Sequence, residues 1–147
     1  MASISVQSED FDINYEIASL KGDNNDVGAI VTFTGTVRDI GGTLHSMTLE
    51  HYPGMTEKEL KRIAGEAEKR WPLLGCRVIH RFGTLAPGDN IVLVITLSAH
   101  REAAFKAADF LMDYLKSSAP FWKKEQTGDK ENWVQSREKD ETALKRW

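Results

Sequence analysis

The longest run without a polar face is Asn90 to Leu97 (Asn-Ile-Val-Leu-Val-Ile-Thr-Leu), mostly β-branched and lacking any alternation. A strand of that kind has to be covered on both sides, so the segment predicts a central strand. Other stretches alternate. Ser3 to Ser8 predicts an edge strand, and Gly28 to Arg38 a second, with Gly35 suited to a bulge or a close backbone approach. Ser46 to Tyr52 predicts the returning strand of a hairpin across the Asp39-Ile40-Gly41-Gly42 turn, and Cys76 to Phe82 a further strand.

Between the strands the period changes to that of a helix. Asp12 to Leu20 places Ile13, Ile17 and Leu20 on one stripe and stops at Lys21-Gly22. Thr56, with Glu59 three residues on, predicts a capping box that opens a helix through Arg70. Leu60, Ile63, Ala64 and Ala67 form its buried face, and Pro72 ends it. Ser98 is the expected cap of a helix to about Lys116, in which Ala103, Ala104, Ala107, Ala108, Leu111 and Leu115 predict close packing. Ala86-Pro87-Gly88-Asp89 predicts a turn before the central strand. Beyond Pro120, Phe121 to Thr127 is expected to be extended, Gly128-Asp129 a turn and Trp133-Val134 a short partner strand. Ser136 to Arg146 reads as a short polar helix or tail. The irregular interleaving of helices and hairpins predicts one α+β domain over residues 1–147, with a mixed or antiparallel sheet and a small C-terminal β/helix segment.

Composition narrows the classes. The chain is 41% hydrophobic and 28% charged, as in ordinary globular domains, and its formal charge of -3 argues against nonspecific nucleic-acid binding. Acidic residues gather in 9–26, whereas lysines and arginines cluster in 100–146. A single cysteine, Cys76, excludes an intrachain disulfide and a thiolate zinc site, and its apolar setting suggests a buried structural thiol. No stretch resembles a signal core or a membrane span, so a cytoplasmic protein is expected.

The chemistry gathers in Asp113-Tyr-Leu-Lys-Ser-Ser-Ala-Pro-Phe-Trp-Lys-Lys-Glu125. Lys116 and Lys123 cannot share one helical face across Pro120; they converge only if the chain turns back after Ser118. Convergence beside Phe121 and Trp122 would suit a flat anionic ligand, whereas solvated lysines at a helix C-terminus are the bland alternative. Ser98-Ala-His-Arg101, at a strand-to-helix junction, offers free N–H groups, a titratable His100 and Arg101 to an anion, or else is only a helix start with a surface arginine. Arg38 closes a strand and gains meaning only by meeting Arg101. His45, His51 and His80 read as structural or solvated. No metal-ligand spacing, nucleophile elbow or glycine-rich phosphate loop is present. The residues thus point to a cationic pocket of Arg38, His100, Arg101, Lys116 and Lys123, without naming the anion.

Five motifs together resemble a known family. Phe33-Thr-Gly-Thr-Val-Arg38, Leu49-Glu-His-Tyr-Pro-Gly-Met55, Val78-Ile-His-Arg81, Ser98-Ala-His-Arg101 and the Asp113–Glu125 block stand in the order found in the catalytic (large) subunit of molybdopterin synthase. The resemblance runs from about Gly28 to Trp147, with a short loop at Ile40 to Ser46. It implies an α/β hammerhead-type fold and a homodimer within a heterotetramer, with a small ubiquitin-like sulfur-carrier subunit at each end. The carrier's Gly-Gly C-terminus, as a thiocarboxylate, would enter a pocket on the large subunit and give two sulfurs to cyclic pyranopterin monophosphate, making the dithiolene of molybdopterin. No cofactor is implied. The essential lysines of the family fall on Lys116 and Lys123, and its anion and pterin contacts on Arg38, His100, Arg101 and Arg137, some of them reaching in from the neighbouring subunit. The carrier tail is expected to pair along an edge strand near Phe121 to Thr127, with aromatic contacts from Phe121 or Trp122. A non-catalytic carrier-docking or anion-binding module of the same fold is the alternative reading.

Overall fold

A computed structural model of the chain describes residues 2–39, 41–127, 130–134, 143–145 and 147. Among the described residues, eight strands and three helices follow in the order β1 (Ser3–Gln7), α1 (Ile13–Lys21), β2 (Ala29–Thr36), β3 (Leu44–His51), α2 (Met55–Arg70), β4 (Leu73–Arg81), β5 (Gly83–Leu85), β6 (Asn90–Ser98), α3 (Arg101–Ser117), β7 (Phe121–Thr127) and β8 (Lys130–Val134). One sheet has the order β1-β4-β6-β2 and the other β5-β3-β7-β8. β1 runs parallel to β4 and every other pairing is antiparallel, so the sheets are mixed and antiparallel as the pattern implied.

The apolar run becomes the middle of the first sheet. β6 lies between β4 and β2 and is buried from Ile91 to Ser98. Its two faces serve different layers. Leu93, Ile95 and Leu97 pack with Ile79 beneath Ile13, Ile17 and Leu20 of α1. Val92 and Val94 face the larger cluster that includes Ile63 and Ala67 of α2 and Phe110 and Leu111 of α3. Thr96, on that same face, donates its hydroxyl to the Ala104 carbonyl at 2.7 Å. Trp147 closes this layer edge-on against Trp71 and Phe110, with its indole N–H bonded to the Asp113 carboxylate.

Four expectations need correction. β3 does not return beside β2; it joins the second sheet, between β5 and β7. The bulge at Gly35/Thr36 ends β2, and Val37 then exchanges hydrogen bonds with Gly88 and Asp89, so the chain is led away from the first sheet. The start of α2 is also shifted. Gly54, at φ 82°, is the cap residue, and the Glu57 carboxylate accepts its N–H at 2.8 Å. Thr56 is buried inside the first turn, its hydroxyl donating to Tyr52 O, and Glu59 pairs with Arg62. Ser98 does not cap α3. It still lies in register with Ala29 and Leu73, and its hydroxyl donates to Pro72 O, so His100 takes the cap position without a side-chain bond. Finally, a short strand that the pattern did not predict, β5, lies between β4 and the expected Ala86-Pro87-Gly88-Asp89 turn. The predicted Gly128-Asp129 turn, Ile40, and most of the Ser136–Arg146 segment lie outside the described residues.

Candidate active site

The reversal that would let the two lysines meet does form. α3 ends at Ser117, where the N–H groups of Ser118 and Ala119 both donate to Tyr114 O. The Phe121 N–H then donates to Ala119 O, and β7 begins. The chain therefore reverses within residues 118–120, as Pro120 and the restriction at Ala119 suggested. Lys116 and Lys123 come close enough to the His80 ring for both charges to oppose its protonation.

Strand alternation sorts the aromatics and the third lysine. Phe121, Lys123 and Glu125 share one face of β7; Trp122, Lys124 and Gln126 share the other. Opposite partners share a face, so Lys123 lies over Leu49 and Phe121 over His51, toward the core side. Trp122 pairs with Glu50 on the outer face and is 47% exposed. Lys124 is held there by Glu131 at 2.8 Å and sits over the Trp133 ring; the bond to Glu131 raises its pKa.

Beneath the lysines is an aromatic shelf. His80, only 5% exposed, stacks on Phe121 with ring centres 3.6 Å apart and planes 15° apart. His51 tilts against Phe82 at 4.5 Å, and its Nδ1 is buried without a hydrogen-bond partner. Burial pushes the His80 pKa down to about 4. The hydrogen bond to the Arg81 carbonyl opposes this, and Lys123, Lys116 and His51 add to it by repulsion. Sequence reasoning set these two histidines aside. The signal for His80 was its register: Cys76, Val78 and His80 alternate onto one face of β4, and the first two are core.

Other expected residues lie apart. Arg38 is exposed just beyond the Val37–Asp89 bonds, at the end of the first sheet where β6 starts and where His80 pairs with Val92. His100 and Arg101 are exposed at the opposite end of β6, about 27 Å away for nine strand residues. Along α3, Arg101 and Lys116 are about 22 Å apart. One chain therefore does not assemble the five-residue cationic pocket; it makes a lysine end and a His100–Arg101 end. His100 borders an apolar hollow of about 450 Å³ between Trp71, Leu73, Leu74 and Ala103. Arg137 lies outside the described residues.

The expected docking edge is also changed. β8 pairs with β7 from Lys123 to Thr127, which closes that edge to an added strand. Only Phe121 and Trp122 extend past it, paired on one side with His51 and Glu50 among the described residues. Cys76 is buried, and burial pushes its thiol up to about 12, so it is an inert core residue at neutral pH. Among the described residues no cluster of His, Cys, Asp or Glu could hold a metal ion, and no helix is long and apolar enough to cross a membrane.

The family model of the MoaE protein matches residues 6–118. The chain belongs to the MoaE protein family. A molybdopterin synthase catalytic subunit of Mesorhizobium japonicum is 56% identical over 147 residues, covering 99% of this chain and 92% of that one. The solved molybdopterin biosynthesis MoaE protein of Burkholderia ambifaria superposes with a TM-score of 0.86 at 52% identity, covering 100% and 98% of the two chains. The Helicobacter pylori complex of subunits 1 and 2 of molybdopterin-converting factor has a chain of the same fold, with a TM-score of 0.74 at 17% identity over 92% and 91%.

Proposed function

We propose that this MoaE-family chain is the catalytic subunit of a molybdopterin synthase. It would take sulfur from the thiocarboxylated C-terminus of a small ubiquitin-like carrier and place two sulfurs on cyclic pyranopterin monophosphate. The observation that carries the reading is the reversal at residues 118–120, which sends Lys123 back to the end of α3 that holds Lys116, beside a buried aromatic shelf.

The chemistry suits both reactants. A thiocarboxylate and a cyclic phosphate are anions, and two ammonium groups beside low-dielectric rings bind and orient them more strongly than the same groups in water. Lys116 is assigned to the thiocarboxylate, where it stabilises negative charge developing as sulfur attacks and the acyl group is released, and assists the accompanying proton transfer. Lys123 holds the substrate phosphate or shares the proton transfers. Phe121, on the lysine face, contacts the incoming tail; Trp122, on the outer face, is available to the carrier's body. Arg38, His100, Arg101 and Arg137 bind substrate. Because His100 and Arg101 stand a helix-length from Lys116, they serve the lysines of a second copy, in a homodimer that binds one carrier at each end to form a heterotetramer. The reading carries a cytoplasmic location with it.

Reconstitution with thiocarboxylated carrier and cyclic pyranopterin monophosphate tests this. Wild type should form the dithiolene product, and Lys116→Ala should lose at least about 100-fold in kcat. Because Lys116 is exposed, the variant's stability should stay within about 0.5 kcal/mol of wild type. Carrier binding without product from wild type would leave a docking module. An active Lys116→Ala would remove that lysine from the chemistry.

A further inference from the structure

His80 is the one buried histidine among the described residues, and the reaction outlined above does not use it. Its Nδ1 lies 2.8 Å from the Arg81 carbonyl. A carbonyl oxygen only accepts, so Nδ1 carries the hydrogen and the uncharged ring keeps its lone pair on Nε2. Arg81 is itself fixed at both ends, its guanidinium donating to Ser8 O and Asn90 O. The imidazole is thus anchored to a rigid strand end. Its flat face meets Phe121, the first residue after the reversal that separates the two lysines.

Among the described residues, charged and titratable groups act on the ring from three elements: Lys123 on β7, Lys116 on α3 and His51 on β3. None of them is a carboxylate. A protonated ring would be another cation beside two ammonium groups, so the site is built for the neutral imidazole.

We propose that His80 is a positioning residue for the lysine pair: held by the Arg81 carbonyl and stacked on Phe121, its ring fixes the path from Lys116 to Lys123 and so the separation of their amines. The inference rests on the preceding reading in taking those amines as the groups that meet substrate. It differs from simple packing in one respect. Any apolar side chain of similar size fills a core, but only a flat ring holds Phe121 in this orientation.

Two substitutions separate these roles. His80→Leu fills the space without a flat face; His80→Phe restores the ring. In the reconstituted assay His80→Leu should lower kcat by at least about tenfold, the scale of a sub-ångström misplacement, with the Kd for carrier unchanged. His80→Phe should recover kcat to within about threefold of wild type. Full activity in His80→Leu would overturn the proposal, as would a folded His80→Phe that is as slow as the leucine variant. Should His80→Leu fail to fold, Phe121→Leu breaks the same stack from its accessible side and should lower kcat by the same factor, with any weakening of carrier Kd coming in addition because Phe121 also meets the tail. A loss confined to carrier Kd would show instead that Phe121 only docks the tail. A wild-type chain that makes no product refutes the sulfur-transfer reading but leaves a second readout. With lysines reductively methylated with ¹³C, the Lys116 and Lys123 signals should shift together in His80→Leu and return in His80→Phe; signals unmoved in both would overturn the positioning role.

Discussion

The two ends of α3 carry the same kind of charge in opposite settings. At the start, His100 and Arg101 are exposed, the cap position lacks a side-chain acceptor, and the Arg101 cation stands where the helix dipole is already positive. At the finish, Lys116 complements the dipole, and the reversal at 118–120 brings Lys123 to join it above His80 and Phe121. On the proposed reading, the second end is a site whose lysines come from one chain. The first is an electropositive surface that favours an anion but has no partner for the chemistry within about 20 Å along its own helix. Residue type did not separate the two ends; the direction of the chain after each did.

The largest test of that difference asks whether the separated ends work on one another across two copies. Lys116→Ala and Arg101→Ala chains should each be nearly inactive alone. Unfolded together and refolded, they should regain about a quarter of wild-type activity: half of randomly paired dimers are mixed, and each mixed dimer has one of two sites intact. Assay of the mixture against each chain alone decides it. No recovery, with mixed dimers shown to form, would mean that Arg101 does not complete the lysine site of a neighbour.

The shelf beneath the lysine end makes a prediction about acid. Above pH 6.5 His80 is neutral both folded and unfolded. Between pH 6.5 and about 4 only the unfolded chain takes up the proton, so the folded state loses stability as pH falls through that window. Below about 4 both states are protonated and the loss levels off, at roughly 3 kcal/mol. Denaturant unfolding of wild type and His80→Phe at pH 7.5 and 4.5 isolates this share, because other acid-sensitive groups are common to both. The gap between the two proteins should shift toward the variant by about 2 kcal/mol or more at the lower pH. Parallel curves would show that His80 is protonated in the folded protein, and the neutral shelf would have to be abandoned.

The reach of the sequence can be judged from the same places. β6 was legible because a strand covered on both faces has no choice but to be apolar throughout. The reversal at Pro120 was legible because proline limits its own backbone and that of Ala119. Misreadings arose where tertiary partners outbid local ones. Ser98 has the side chain of a cap, yet its hydroxyl goes to Pro72 O, which is distant in sequence. Thr56 and Glu59 have capping-box spacing, yet the positive φ of Gly54 started the helix earlier and buried the threonine. β3 was read as the partner of β2 because neighbours in sequence usually pair; the bonds from Val37 to Gly88 and Asp89 that redirect it leave no local trace. The site divides likewise. Lys116 and Lys123 were visible as a spacing across a break, whereas the inability of one chain to join them to Arg101 follows from helix length and sheet direction together. His80 looked structural because burial was the only part of its environment that its neighbours in sequence announced.

The smallest predicted effect concerns two adjacent residues and bears most directly on why one end of α3 is a site. Lys123 and Lys124 have the same side chain on the same strand, but the period of two sends them to opposite faces. Lys123 joins Lys116 over the shelf, while Lys124 lies over Trp133 with its amine held by Glu131. If convergence rather than local positive charge makes the site, Lys123→Ala should abolish most sulfur transfer and Lys124→Ala should change kcat and KM by no more than about twofold, since an exposed ion pair contributes little. Equal losses from the two substitutions, in chains that melt alike, would mean that the whole basic strand acts as a diffuse anion attractor, and the distinction between the two ends of α3 would reduce to a difference in how many lysines each collects.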